Sequence, residues 1–281
     1  MSPPEPILCE KNGIVRACSA QMVSVWEDPE RTLSRAEQFI HHAARSGADI
    51  ICFPEQFATG WDPESLHFAQ GLSGPIITTL KSFAMESCIA ILGSFREAAS
   101  GETRNTSVLI GSDGRLLARY SKIHLFSHAR ENEFFHPGTG LGMFSLGSLS
   151  CGIAICYDLR FPDLFRIYAQ KGVHAVFIPS AWPESRIRYW ELFIRARAAE
   201  NQMYIVGINT TGTTPVDRYN GTSMTADPFG TIIRKAGDAE QLLFSDLDIR
   251  VVEEARRAFP VIQDRKEETY NALSREIHSG P

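Results

Sequence analysis

No apolar run in the 281-residue chain reaches the roughly 18–20 residues that a membrane helix needs. No basic run interleaved with aromatic residues occurs either, and a net charge of −5 leaves no broad cationic surface for a phosphate backbone. Neither a membrane nor a nucleic acid is therefore an expected partner. The opening stretch MSPPEPILCEKNG lacks a charged segment followed by an apolar one, so the expected location is cytoplasmic. Cys9, Cys18, Cys52, Cys88, Cys151 and Cys156 form no CxxC pair, which argues against a zinc site or a redox disulfide. Most of these thiols are expected to be reduced core residues. No Pro/Gly/Ser linker, low-complexity tract or change of composition divides the chain, so a single domain over 1–281 is expected.

What is present, 43% hydrophobic and 22% charged residues, suffices to bury a large core without disulfides or metals. Apolar runs of strand length fall at Ile14–Val25, Ile50–Phe53, Ile89–Ser94, Ser107–Ile110, Cys151–Cys156, Val173–Pro179 and Met203–Asn209. Helical spacing follows Pro29, with Leu33, Ala36, Ile40 and Ala43 inward and a stop at Gly47, and again follows Pro75. A third helix is predicted from Pro162 to before Gly172, and a fourth from about Arg186 to Gln202. Alternating strands and helices imply an α/β fold with covered sheet faces. The two halves look alike in outline, each closing on short strands with turn signals at Ser112-Asp113-Gly114 and Asp227-Pro228-Phe229-Gly230. This pattern fits two sheets packed face to face, and equally one doubly wound sheet.

Polar residues at the ends of apolar strands are candidates for chemistry. Ile50 to Phe53 runs into Pro54-Glu55, and Lys122 is flanked by apolar and aromatic neighbours in YSKIHLF. Taken alone, each reads as a solvated surface residue. The segment GIAICYDLRFP is more informative, because an apolar strand ends at Cys156 and a helix opens at Pro162. A thiol between a strand end and a helix start can enter a cleft beside free backbone N–H groups, as in a nucleophile elbow. A nearby cation or helix N-terminus is expected to lower its pKa from about 8.5 and supply thiolate. Cys151, an odd number of residues away, points to the opposite face and is read as packing. His124 and His128 are four residues apart but lack a third ligand, so no metal is expected. Asp158 and Arg160 read as braces of the turn after Cys156, and Arg197, Glu200 and Asn201 as helix scaffolding.

FPEQFATGW around Glu55, YSKIHLF around Lys122 and GIAICYDLRFPDLFR around Cys156 resemble, in order, the signatures of the nitrilase superfamily of carbon–nitrogen hydrolases. The likeness runs from about Val15 to Tyr270 and includes the helical stretch YWELFIRARAAENQ. It implies a four-layer α-β-β-α sandwich and no cofactor. It also implies Cys156 as nucleophile, Glu55 as general base, and Lys122 with the Tyr157 backbone N–H as an oxyanion hole. A second glutamate belongs to the family site. The resemblance places it at Glu131, whose distance to Pro137-Gly138 looks like that in the family's amidases, with Glu133 the competing choice. The resemblance further implies a homodimer or higher homo-oligomer, with the tail from about 259 to 281, including FPVIQ, along a partner subunit and 1–13 as an N-terminal extension.

Within the superfamily, HLF after Lys122, CYDLRFP and the AWP…YW stretch resemble the branch that includes ω-amidases. Such a substrate carries a distal carboxylate, which calls for a bidentate cation. Arg186, just after the strand leading to Trp182, is the candidate, with Trp182 and Tyr157 as pocket walls. Deaminated glutathione or an N-carbamoyl compound would use the same catalytic residues on another acyl group. A catalytically idle binding or scaffold member is a reading of another class.

Overall fold

The computed structural model describes residues 13–278. Cys9 and all but the last residue of the expected N-terminal extension lie outside that range, as does the end of the tail, residues 279–281. The first half contains β1 (Ile14–Gln21), β2 (Ile50–Cys52), β3 (Ala90–Ala99), β4 (Glu102–Ile110) and β5 (Leu116–Ser121). The second contains β6 (Gly142–Leu146), β7 (Leu149–Ile153), β8 (Ala175–Ser180), β9 (Tyr204–Asn209), β10 (Thr211–Thr213), β11 (Arg218–Asn220), β12 (Met224–Ala226), β13 (Ile232–Lys235) and β14 (Gln241–Asp248). The helices are α1 (Pro29–Arg45), α2 (Pro75–Ser87), α3 (Glu131–Phe134), α4 (Pro162–Gln170), α5 (Arg188–Asn201), α6 (Ile249–Ala258) and α7 (Glu267–His278).

Two six-stranded sheets result, in the orders β14-β1-β2-β3-β4-β5 and β13-β12-β9-β8-β7-β6. Each has a parallel trio at its centre, β1-β2-β3 or β7-β8-β9, flanked by antiparallel strands. The likeness of the two halves is therefore real. The single-sheet alternative is overturned, and the fold is the four-layer α-β-β-α sandwich that the resemblance implies.

Side-chain alternation builds the layers. Ala17, Ile50, Leu92 and Leu109 point between the sheets to meet Ile153, Phe177 and Val206. Their neighbours Cys18, Ile51, Ile91 and Val108 point outward to Ile40, Ile77 and Leu80 of α1 and α2. A strand's period of two thus lets one sheet bury both faces. Helix α1 starts where the sequence predicts, with Asp28 accepting from the Arg31 N–H at 3.0 Å and Pro29 at the first helical position.

Several strand boundaries differ from expectation, and three of them bear on the site. β1 stops at Gln21 rather than Val25, and the chain then turns so that Met22 O accepts from the Thr210 hydroxyl. β4 begins at Glu102 rather than Ser107, because its polar first half is paired along its length with β3. β7 ends at Ile153, short of Cys156, since the Ile155 N–H donates to Asp158 Oδ2 at 2.9 Å.

Candidate active site

Four of the residues assigned to chemistry lie just beyond a strand end. Glu55 follows β2, Lys122 follows β5, Cys156 follows β7, and Trp182 follows β8. Glu131 arrives separately, at the first position of the short helix α3. The chain after Lys122 is closed by Gly138, whose N–H donates to Lys122 O at 2.8 Å. A Cβ on Gly138 would run into Ser121 O, so only glycine permits this approach.

The side chains converge on Lys122. Its Nζ donates to Glu55 Oε1 at 2.7 Å and to Glu131 Oε2 at 2.8 Å, and all three residues are at most 2% exposed. Glu131 Oε2 also accepts from the Phe126 N–H at 2.7 Å, and Glu55 Oε2 accepts from the Ala181 N–H at 3.1 Å. Glu133 lies elsewhere, on the surface, paired with Arg130 at 2.7 Å. The structure thus brings Glu55, Lys122, Glu131 and Cys156 together and leaves Glu133 out.

Cys156 has φ of +42°, a left-handed conformation unusual for a non-glycine residue and consistent with a sharp elbow. It opens a single 3₁₀ turn, Cys156–Arg160, whose first N–H groups have no acceptor within the turn. Asp158 fixes that turn: its carboxylate accepts from the Tyr120 hydroxyl at 2.7 Å, the Ile155 N–H, and the His124 N–H at 3.0 Å. His124 Nδ1 lies 2.8 Å from the same carboxylate, and its ring stacks on Phe161 at 3.7 Å. Arg197 of α5 braces the turn from outside, donating to Leu159 O and Arg160 O.

The electrostatics correct one expectation. Burial pushes the Cys156 thiol well above its ordinary pKa, the Glu55 charge adds to this, and Lys122 opposes it without prevailing. The resting thiol is therefore protonated, and a base must remove its proton. Burial likewise raises the Glu55 pKa, against the pull of Lys122 and with the repulsion of Glu131. For Lys122, burial alone would lower the pKa, but the Glu131 and Glu55 carboxylates outweigh it and hold the ammonium charged.

Above Cys156 lies a cavity of about 120 Å³, lined by Trp61, Tyr157, Trp182, Arg160, Arg186 and Asp217 among others. That is below the roughly 300–1,000 Å³ of ordinary small-molecule pockets. Trp182 is clamped by Asn209, which accepts from the Trp182 N–H at 2.7 Å and donates to its carbonyl at 3.0 Å. Arg186 sits over the Phe126 ring at 5.1 Å. The reading of Arg160 as a turn brace needs correction, because its side chain leaves the turn for the cavity. Its guanidinium lies 5.0–5.2 Å from the rings of Trp182, Tyr189 and Phe193. Neither arginine has a carboxylate within 4.0 Å among the described residues. Sequence reasoning also missed Asn105, Asn209 and Asp217. The first two sit within strands, and a polar residue inside an otherwise buried strand is the signal that would have found them.

Two sheets that deliver a cysteine, a lysine and carboxylates to one cleft define an α/β enzyme of thiol chemistry, and comparison gives its class. The carbon–nitrogen hydrolase family model matches residues 16–257, and the chain belongs to that family. It is 32% identical to the Omega-amidase NIT2 of Mus musculus, over 86% of this chain and 92% of that protein. It is 30% identical to the 2-oxoglutaramate amidase of Bacillus subtilis, over 86% of this chain and 94% of that one. Among solved structures it is similar to Saccharomyces cerevisiae Nit3, a member of branch 10 of the nitrilase superfamily. There the TM-score is 0.81 at 26% identity, covering 91% of this chain and 97% of that one.

Proposed function

We propose that this carbon–nitrogen hydrolase cleaves the terminal amide of a short dicarboxylate monoamide, as an ω-amidase does, and releases ammonia. The observation that carries this reading is the small cavity over Cys156 with two guanidiniums, Arg160 and Arg186, that have no carboxylate of their own among the described residues. A distal substrate carboxylate supplies the missing charge. The relatives named as ω-amidase and 2-oxoglutaramate amidase support the same acyl group. A cavity of about 120 Å³ favours it over the longer acyl chain of deaminated glutathione.

In the proposed mechanism Glu55 takes the thiol proton as Cys156 Sγ attacks the amide carbonyl. Lys122 and the Tyr157 N–H hold the oxyanion, while Glu131 orients Lys122. Glu55 passes its proton to the departing nitrogen, and ammonia leaves a thioester. Glu55 then takes a proton from water, the hydroxide attacks the thioester, and that proton returns to the Cys156 thiolate as the acid departs.

The test is kcat/KM for succinamate and for butyramide, which differ by the distal carboxylate. The expected preference is for succinamate by at least tenfold. A preference for butyramide would overturn the substrate class while leaving the chemistry intact.

We further propose that the chain acts in the cytoplasm as one carbon–nitrogen hydrolase domain and pairs with a second copy. A core cluster drawn from both sheets supports the single domain. No helix among the described residues is long and apolar enough to cross a membrane. Leu192 of α5 and Phe229, both 57% exposed, border an open groove that suits a helix-mediated homodimer with the tail from Phe259 alongside. Light scattering in solution tests the pairing.

A further inference from the structure

The mechanism leaves one fully buried polar side chain in contact with the reacting groups and without a role. Asn105 lies in the polar half of β4 that the apolar-run reading missed, and it is 0% exposed. Its Nδ2 donates to Glu55 Oε1 at 2.8 Å and to Glu131 Oε1 at 3.0 Å. Two carboxylate acceptors on one side fix which end of the amide is nitrogen. The other end, Oδ1, is buried with no hydrogen-bond partner among the described residues. A residue present only to complete a strand would satisfy both ends. Here the orientation serves the carboxylates and leaves the carbonyl unmet.

The two oxygens of Glu55 are consequently unlike. Oε1 accepts from Lys122 at 2.7 Å and from Asn105, so its lone pairs are taken. Oε2 accepts from the Ala181 N–H at 3.1 Å, the same backbone group that contacts the Cys156 sulfur, and the Cys156 thiol is itself a hydrogen-bond neighbour of the Glu55 carboxylate. Oε2 is thus the oxygen on the side of the thiol.

We propose that Asn105 is a positioning residue that grips Glu55 by Oε1, so that Oε2 is the atom that receives the Cys156 proton. The transfer is one proton from Sγ to Oε2, with the electron pair left on sulfur for attack. Asn105 supplies neutral donors to both carboxylates, keeping Glu55 ionised next to Glu131 without adding a second cation that would weaken it as a base. The titratable groups facing Glu55 are Lys122 from the end of β5, Glu131 from α3, Cys156 from the turn after β7, and Tyr219 from β11. Asn105 also accepts the Lys122 N–H through its backbone carbonyl at 2.8 Å. That bond survives any side-chain substitution, so a variant isolates the amide's effect on the carboxylates.

The inference rests on Glu55 being the base for Cys156, and the experiment separates the two. The acidic limb of kcat/KM against pH is measured for wild type, Glu55→Gln, Asn105→Leu and Asn105→Asp. The pH dependence of Cys156 alkylation by iodoacetamide is followed in parallel, with circular dichroism confirming the fold. Asn105→Leu keeps the volume and removes both donors, so the limb should move up by about one pH unit, with KM nearly unchanged. Asn105→Asp adds a third carboxylate and should move it further. The alkylation profile should shift with it. A uniform loss of kcat at every pH with the limb in place, or loss of fold in both variants, would make Asn105 structural and overturn the proposal. A wild type without an acidic limb, or a limb retained in Glu55→Gln, would overturn the base assignment and this inference with it.

Discussion

The Lys122 ammonium lies 2.8 Å from Glu131 Oε2, with both side chains essentially sealed from solvent. A lone buried ammonium would lose its proton. Here Glu131 and Glu55 hold the charge in place, so the cation is permanent and available to an oxyanion. The pair makes Glu131 a condition of the site and gives Glu133, paired on the surface with Arg130, no access to it.

The first expectation follows from that contrast. Glu131→Gln should reduce kcat/KM by orders of magnitude, because Lys122 keeps one carboxylate and loses its orientation. Glu133→Gln should stay within about twofold, since an exposed pair contributes little. Steady-state ammonia release decides it, and the reverse ranking would remove Glu131 from the mechanism.

Lys122→Met should lower kcat by about 100- to 1,000-fold, the usual cost of one oxyanion donor. It should also cost about 3–5 kcal/mol of stability at neutral pH, as two buried carboxylates lose their cation. The folded pKa of Glu55, which burial already raises, would then lie further above its unfolded value. The folded state would hold protons that the unfolded chain releases, so stability should fall as pH rises and recover on acidification. Denaturant melts at several pH values read this directly, and an unchanged kcat would exclude Lys122 from catalysis.

Cys156→Ala should abolish turnover and leave the fold intact, since the thiol sits at a cavity and little packing is lost. Ammonia release near the wild-type rate would contradict the covalent route. The raised thiol pKa adds a finer expectation. Glu55→Gln removes the charge that helps to hold that pKa up, so the pH midpoint of Cys156 alkylation by iodoacetamide should move down, with the exposed Cys88 unaffected as an internal reference. An unmoved midpoint at Cys156 would mean that Glu55 does not act on the thiol.

The two cavity arginines can be tested one at a time. Loss of a bidentate partner in a desolvated pocket costs about 2–5 kcal/mol, which is tens- to thousands-fold in rate. Arg160→Met and Arg186→Met should each slow succinamate turnover in that range and spare butyramide. Equal losses on both substrates would mark the arginine concerned as structural.

Cys156 was legible in the sequence as a thiol at the end of an apolar strand, whereas Glu55 and Lys122 taken alone read as surface residues and drew their roles from the family resemblance. The alternation of strands and helices likewise announced covered sheet faces. The linear sequence could not choose between one sheet and two, since the same elements serve both; that choice is made by which faces bury each other. Nor could it reveal the thiol's protonation, because a pKa follows from desolvation and from charges delivered by other elements. Asn105 and Arg160 show the same limit. One looks like a polar interruption before an apolar run and the other like a turn residue, and only the packing of distant segments places an amide between two carboxylates and a guanidinium over three rings. Local pattern records whether a residue is buried, whereas its chemical role depends on its spatial neighbours, which tertiary folding alone assembles.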